Sequence, residues 1–182
     1  MIARITLTLI LICGGLAQAS GQTAPNHVVV SYPRTISSAD AKAVLPATVF
    51  FKGQSAAIQA RNSGGIEFAK SRFLLATLVD TSGYSTSVQE RYQAYLITEM
   101  PVIIDGHRLT PGAYGCGFIA GDQFAVMDLG GNDLFVAASK RDPGLKRPTP
   151  LQITADPASV GTYRLYAGRT YVELKAAPEQ RP

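Results

Sequence analysis

"HRLTPGAYGCGFIAG", residues His107–Gly121, is the stretch that decides how this chain folds. Four glycines fall in the ten residues from Gly112 to Gly121, with Cys116 among them. Alternate residues of a strand share a face. Taken as a strand, Tyr114, Cys116 and Phe118 form one bulky apolar face. Ala113, Gly115 and Gly117 form the other, which stays flat until Ile119. Glycine weakens a strand, so such a run marks a bend or the close approach of another group. The flat face therefore expects a packed aromatic from a neighbouring strand, a barrel corner, or a ligand. A phosphate loop does not fit. The order G-x-x-G-x-G is not the dinucleotide fingerprint, and the Lys-Ser/Thr ending of a P-loop is missing.

On either side, short apolar runs alternate with turn clusters. "TVFFKG" (Thr48–Gly53) is aromatic and β-branched, and "SAAIQARN" (Ser55–Asn62) alternates weakly. Asn62-Ser63-Gly64-Gly65 has turn composition. Phe73 to Val79 is almost continuously apolar, as in a strand buried on both faces, a pattern that a short buried helix shares. Asp80–Gly83 predicts the next turn, and Ser87 with Glu90 has the capping-box form that starts a helical turn. Tyr92–Ile104 reads as strand, with Pro101 marking an edge position or a bulge because it cannot donate to a ladder. Asp105-Gly106, Gly130-Gly131-Asn132-Asp133 and Ala167-Gly168 are hairpin signals. Near the start, "HVVVSY" (His27–Tyr32) suits a strand, and Ser38 caps a short helix over Ala39–Leu45 that Pro46 stops. No strand–helix–strand alternation occurs. The prediction is an all-β fold: an antiparallel β-sandwich or flattened barrel with one short N-terminal helix.

The first residues carry an export pattern. Arg4 precedes an apolar run, Ile5–Ile12, and Ala17-Gln18-Ala19 gives a small-x-small cleavage site. Residues 1–19 are expected to be a cleaved signal peptide and residues 20–182 one β-rich domain, periplasmic or extracellular. Lipidation at Cys13 is the rival; bulky Ile12 ahead of the cysteine speaks against it. Cleavage leaves Cys116 alone, so stability must come from the core and not from a disulfide. It also leaves no apolar run long enough to span a membrane. The 182 residues are 46% hydrophobic and 16% charged with net charge +4, which excludes a disordered chain. Lys140, Arg141, Lys146 and Arg147 cluster, but Asp142 dilutes them and no aromatics interleave, so no nucleic-acid partner is expected.

Candidate chemistry is thin. A cysteine nucleophile needs Cys116 as thiolate with His107 in reach, and an apolar strand quiets a thiol. Ser63 in "NSGGI" lies outside the G-x-S-x-G elbow. Two histidines and one mature cysteine, singly placed, predict no metal; Asp128, Asn132 and Asp133 bracket a turn without calcium-loop spacing. Tyr92, Tyr95, Tyr114, Tyr163, Tyr166 and Tyr171 all fall in predicted strands, where aligned rings suit a sugar or an apolar molecule and core packing suits them equally. The expectation is a non-enzymatic exported domain without cofactor that binds a small molecule or an envelope protein. Its candidate ligand residues are Tyr95, Tyr114, Gly115, Gly117 and His107. The alternative is a hydrolase using Ser63 or Cys116 with His107. A structural component of the envelope is a third class, with Pro101 and the charged, proline-rich loop guarding the edges against filament growth.

"LTPGAYGCGFIAGDQFAVMDLGGNDLF" (Leu109–Phe135), followed by "KRPTPLQI", resembles the hairpin style of secreted bacterial β-domain proteins of unknown function. Leu109, Pro111, Gly112 and Tyr114 carry the likeness. It implies an extracytoplasmic sandwich or barrel-like domain and brings no catalytic residue with it.

Overall fold

The computed structural model describes residues 30–178. In chain order the elements are β1 (Arg34–Ile36), α1 (Ser38–Val44), β2 (Thr48–Phe51), β3 (Gln54–Ala69), β4 (Arg72–Val79), α2 (Thr86–Gln89) and β5 (Ala94–Thr98). β6 (Val102–Ile104), β7 (His107–Leu109), β8 (Gly112–Ile119), β9 (Gln123–Met127) and β10 (Asp133–Ala138) follow. The chain ends with β11 (Lys140–Arg141), β12 (Gln152–Ala155), β13 (Thr162–Ala167) and β14 (Thr170–Ala176). All strand pairings are antiparallel and form two sheets, ordered β1-β3-β4-β5-β8-β9-β10 and β12-β13-β14-β6-β7. The fold is an all-β sandwich. The predicted signal segment, the 1–19 boundary and His27–Val29 lie outside the described residues; Val30–Tyr32 take no strand conformation.

Period two sorts the side chains into layers. Leu74 and Ala76 of β4, Leu96 of β5, Cys116 of β8 and Val126 of β9 face the second sheet. There they meet Ile104, Leu165, Val172 and Leu174, giving the sandwich core. Their neighbours Leu75, Val79, Tyr95 and Met127 face the other way and are buried too. Two covers hide that second face. α1 lays Ala41 and Leu45 on Leu75, and the β2–β3 hairpin brings in Val49 and Phe51. The nearly continuous apolar run of β4, broken by the buried Thr77, thus reflects burial on both faces, as its pattern predicts.

The hairpin cover depends on a bend in β3. Gln59 pairs with Leu78, but the next pair is Ser63 with Thr77, so Ala60–Asn62 have no opposite number on β4. The Ser63 hydroxyl donates to the Ala60 carbonyl at 2.7 Å and holds the bend. This corrects the expectation of a turn at Asn62–Gly65. Gly65 is glycine because a Cβ there would lie 2.6 Å from the Leu74 carbonyl oxygen and 2.8 Å from Leu75 Cδ2. Pro101 is also corrected: it is neither an edge residue of a long strand nor a bulge. β5 stops at Thr98, and Glu99–Pro101 carry the chain across to β6 in the other sheet.

Several local predictions hold to within a residue. α1 is capped by Ser37, whose hydroxyl accepts from the Asp40 amide, one residue before the expected cap. The capping box is corrected: a helix of one turn does form, Thr86–Gln89, but its N-cap is Ser85 without a side-chain bond, and Ser87 lies inside it with Glu90 at the C-cap. Asp105 (φ 43°) and Gly106 (φ 91°) both take the left-handed conformation that a tight hairpin requires. Tyr166 and Tyr171 lie on the outer face of the second sheet. Arg164 beside them bonds Asp156 at 2.9 Å, and its guanidinium carbon sits 4.5 Å above the Tyr171 ring. The Tyr166 hydroxyl donates to Asp142 at 2.9 Å, which ties down the proline-bounded loop.

Candidate functional site

Phe51 occupies the flat face of β8. A Cβ on Gly115 would collide with Phe51 Cε2, with Cδ2 at 2.9 Å and Cζ at 3.0 Å. The other side of the Phe51 ring stacks on Tyr92, centroids 3.9 Å apart at 19°. Gly117 makes room for backbone: its Cβ would strike the Arg91 carbonyl oxygen. Gln93 completes the fit, donating to the Phe118 carbonyl at 3.0 Å and accepting from the Phe118 amide at 3.1 Å. Of the three uses foreseen for the glycine face, a packed aromatic is the one found at Gly115.

The candidate ligand residues do not converge. Tyr95 and Tyr114 lie on adjacent strands but face opposite layers, Tyr95 among the outer aromatics and Tyr114 in the sandwich core. The Tyr114 hydroxyl donates to the Thr110 carbonyl at 2.9 Å. His107 is exposed on β7 and stacks on Phe135 of β10, centroids 4.5 Å apart at 2°. The nucleophile candidates are apart as well. Ser63 on β3 and Cys116 on β8 have two strands between them, and His107 belongs to the other sheet. Cys116 has no exposed surface, and burial pushes its thiol up to about 12.

The turn at Gly130–Asp133 uses its own oxygens. Asp128 accepts from the Asn132 amide at 2.9 Å and from its side-chain nitrogen. These bonds hold the Asp128 carboxyl below the usual range. Among the described residues no three His, Cys, Asp or Glu side chains gather as a metal would need. No helix there is long and apolar enough to cross a membrane.

One cleft sets charged groups above two buried apolar side chains. Phe51 and Met127 form the floor, with Val88 and Ser87 of α2 on one side and Lys52, Gly131 and Asp133 on the other. Its volume is about 190 Å³. Arg91 reaches over it and is fixed by Asp133 at 2.7 Å, while its buried Nε has no partner. Lys52 opens the β2–β3 turn at φ 48°, a conformation that costs a residue with a Cβ about 1 kcal/mol and for which Asn, Asp or Gly is usual. Its stem lies along Gly131, where a Cβ would come within 3.2 Å of Lys52 Cδ. Among the described residues Lys52 makes no ion pair. The Tyr84 hydroxyl, donating within 3.0 Å of the Phe51 carbonyl oxygen, anchors this hairpin to the segment that carries α2.

A second hollow of about 280 Å³ lies beside the β3 bend. Ser63 is engaged there with Ala60, Thr149 with the Leu151 carbonyl and Gln152 with the Arg147 carbonyl, while Arg61 on its wall makes no ion pair among the described residues. Both hollows keep an uncommitted cation; the first is the stronger candidate because its lysine sits in a left-handed turn and the buried Nε of Arg91 beside it has no partner. Sequence reasoning missed it because its residues come from four separated segments. The one available signal was Lys52 ahead of Gly53, a poor residue for a tight turn. Compared with known proteins, the chain matches no family model, no curated protein and no solved structure.

Proposed function

We propose that this is an exported, non-enzymatic β-sandwich that binds a small molecule in the cleft of Phe51, Lys52, Val88, Arg91 and Met127. The observation that carries the reading is Lys52: a cation without an ion-pair partner among the described residues, held in a costly backbone conformation beside Arg91, whose buried Nε is also unpartnered. Export rests on Arg4, the Ile5–Ile12 run and Ala17-Gln18-Ala19, with the mature chain starting at Ser20. Against the hydrolase alternative stand the sealed Cys116, the committed Ser63 hydroxyl and the distant His107. An envelope protein as partner is the second reading. Its support is the edge strand β10, where Leu134 is 47% and Val136 38% exposed.

Native mass spectrometry of protein taken from its exported fraction tests the first reading. The expected result is a chain beginning at Ser20 with an added mass that disappears on denaturation. Ser87 is exposed on the rim, so Ser87→Trp fills the cleft without touching the core and should abolish the added mass. A bare chain mass in the wild type, or an adduct that Ser87→Trp retains, removes the cleft from consideration.

A further inference from the structure

We infer that the outer face of the second sheet docks on an anionic lipid bilayer, its cations meeting the headgroups. This surface is separate from the cleft and does not depend on it. The charge is divided unequally between the two layers. Residues 102–109 and 140–178, the second sheet and its loops, hold eight Lys and Arg side chains against four carboxylates. The rest of the described chain holds seven against eight. The positive excess therefore sits on one layer, and ion pairing does not cancel it. Lys140, Arg141 and Arg164 have carboxylate partners. Arg108, Lys146, Arg147, Arg169 and Lys175 are exposed and make no ion pair among the described residues.

Register and hydrogen bonds put these five on one side. Lys175 is opposite Ile103 and Ile103 is opposite Arg108, so the three share a face, while Leu174 and Ile104 beside them point into the core. The proline-bounded loop, residues 142–150, lies on the same face at its other end. Asp142 ties it to Tyr166, and Arg169 donates to the carbonyls of Pro143 and Leu145. Lys146 and Arg147 project from this loop. From Tyr171, beside Tyr166, to Lys175 the strand rises about 13 Å. Cations at both ends of a sheet face suit a plane of negative charge better than a single narrow chain. The aromatic residues point the same way. Tyr166 and Tyr171 are buried, so neither a base nor a sugar finds an exposed ring to stack on. Instead Val160 is fully exposed two residues before Thr162, and Thr162 is opposite Lys175. An apolar tip beside cations suits the boundary between headgroups and acyl chains.

The chain from Ser20 to Pro182, which holds every described element, is sedimented with phosphatidylcholine vesicles carrying about one-third phosphatidylglycerol and with pure phosphatidylcholine vesicles. Each cation near a charged bilayer is worth roughly 5-fold in binding, so the phosphatidylglycerol vesicles should bind at least ~30-fold more tightly. The advantage should shrink as salt rises from about 0.05 M to about 0.5 M. Lys146→Gln with Arg147→Gln should weaken binding by ~10-fold or more, and Arg108→Gln with Lys175→Gln should do so from the other end of the face. All four residues are exposed, and a pair that fails to fold leaves the other to decide. Arg169 is left in place because it holds the loop. Lys42→Gln with Lys70→Gln removes the same charge from the first-sheet layer and should cost less than ~2-fold. Equal binding to the two kinds of vesicle overturns the inference, as does unchanged binding in both face pairs. An equal loss from the Lys42 and Lys70 pair overturns it too, since net charge would then act without a face. Capture by polygalacturonate with no difference between the vesicles gives the face to an acidic polysaccharide and overturns the lipid assignment.

Discussion

Replacing Gly115 by alanine tests whether the glycine face of β8 is shaped by Phe51. On propensity alone the change should help, because glycine in a strand costs about 0.5–1 kcal/mol relative to alanine. The structure predicts the opposite. The new methyl would lie within 3.0 Å of three Phe51 ring carbons. The ring cannot slide away, since Tyr92 stacks on its other side at 3.9 Å and Tyr84 meets it edge-on at 6.2 Å. Overpacking of this kind costs about 1–3 kcal/mol, and a ring hemmed in on both sides belongs at the upper end. With the propensity gain set against it, Gly115→Ala should lose about 2 kcal/mol. For a urea slope of ~1.5 kcal/mol/M that lowers the unfolding midpoint by ~1.3 M. The companion variant is Phe51→Leu, which costs stability itself but clears the space. In that background Gly115→Ala should be neutral or slightly stabilising, giving a coupling of about 2 kcal/mol in the double-mutant cycle. A Gly115→Ala midpoint equal to or above wild type would refute the argument, as would additivity with Phe51→Leu.

Tyr92 is fully buried and its hydroxyl has no partner, so Tyr92→Phe should stabilise by about 1 kcal/mol in the same denaturation assay. Cys116 should resist alkylation in the native protein and react only as fast as the chain unfolds. Its thiol, raised from an ordinary 9.0 to about 12, stays protonated in the fold while the unfolded chain ionises. That stabilisation is complete below pH 9 and is lost as pH rises toward 12, by up to ~1.4 kcal/mol per pH unit. Midpoints measured between pH 8 and 10 should fall in the wild type and stay flatter in Cys116→Ala. Arg164→Met should cost about 3 kcal/mol, because it strands the buried Asp156 carboxylate, and Asp156→Asn should recover part of that loss.

What the sequence made legible follows the chemistry of single positions. Asp105-Gly106 and the turn before Asp133 announce hairpins because their left-handed residues narrow the choice of amino acid. The run from Phe73 to Val79 announces burial on both faces because Thr77 is its one polar residue. Asn62–Gly65 misleads because glycine answers two demands with one residue type. A left-handed turn and a close approach both require it, and Gly65 serves the second. Pro101 is ambiguous for a similar reason: a missing donor suits a strand edge and also a crossing between sheets. The cleft was illegible because Phe51, Arg91, Met127 and Asp133 carry no local pattern and are joined only by the bend in β3.

The two sheets are interleaved along the chain, and this sets a timetable for synthesis. β6 and β7 are made between β5 and β8, yet they pair with β14 and with each other in the second sheet. When Ala138 leaves the ribosome, all strands of the first sheet are complete. The strands that cover its inner face, β12 to β14, have still to be made. Until they arrive, Leu74, Leu96 and Val126 remain without their roof, and the β6–β7 hairpin lacks its partner strand β14. Nascent chains halted near Ala138 should therefore be sticky and protease-sensitive, and those halted beyond Ala176 should not. For this architecture the last strands made decide whether the earlier ones stay in solution.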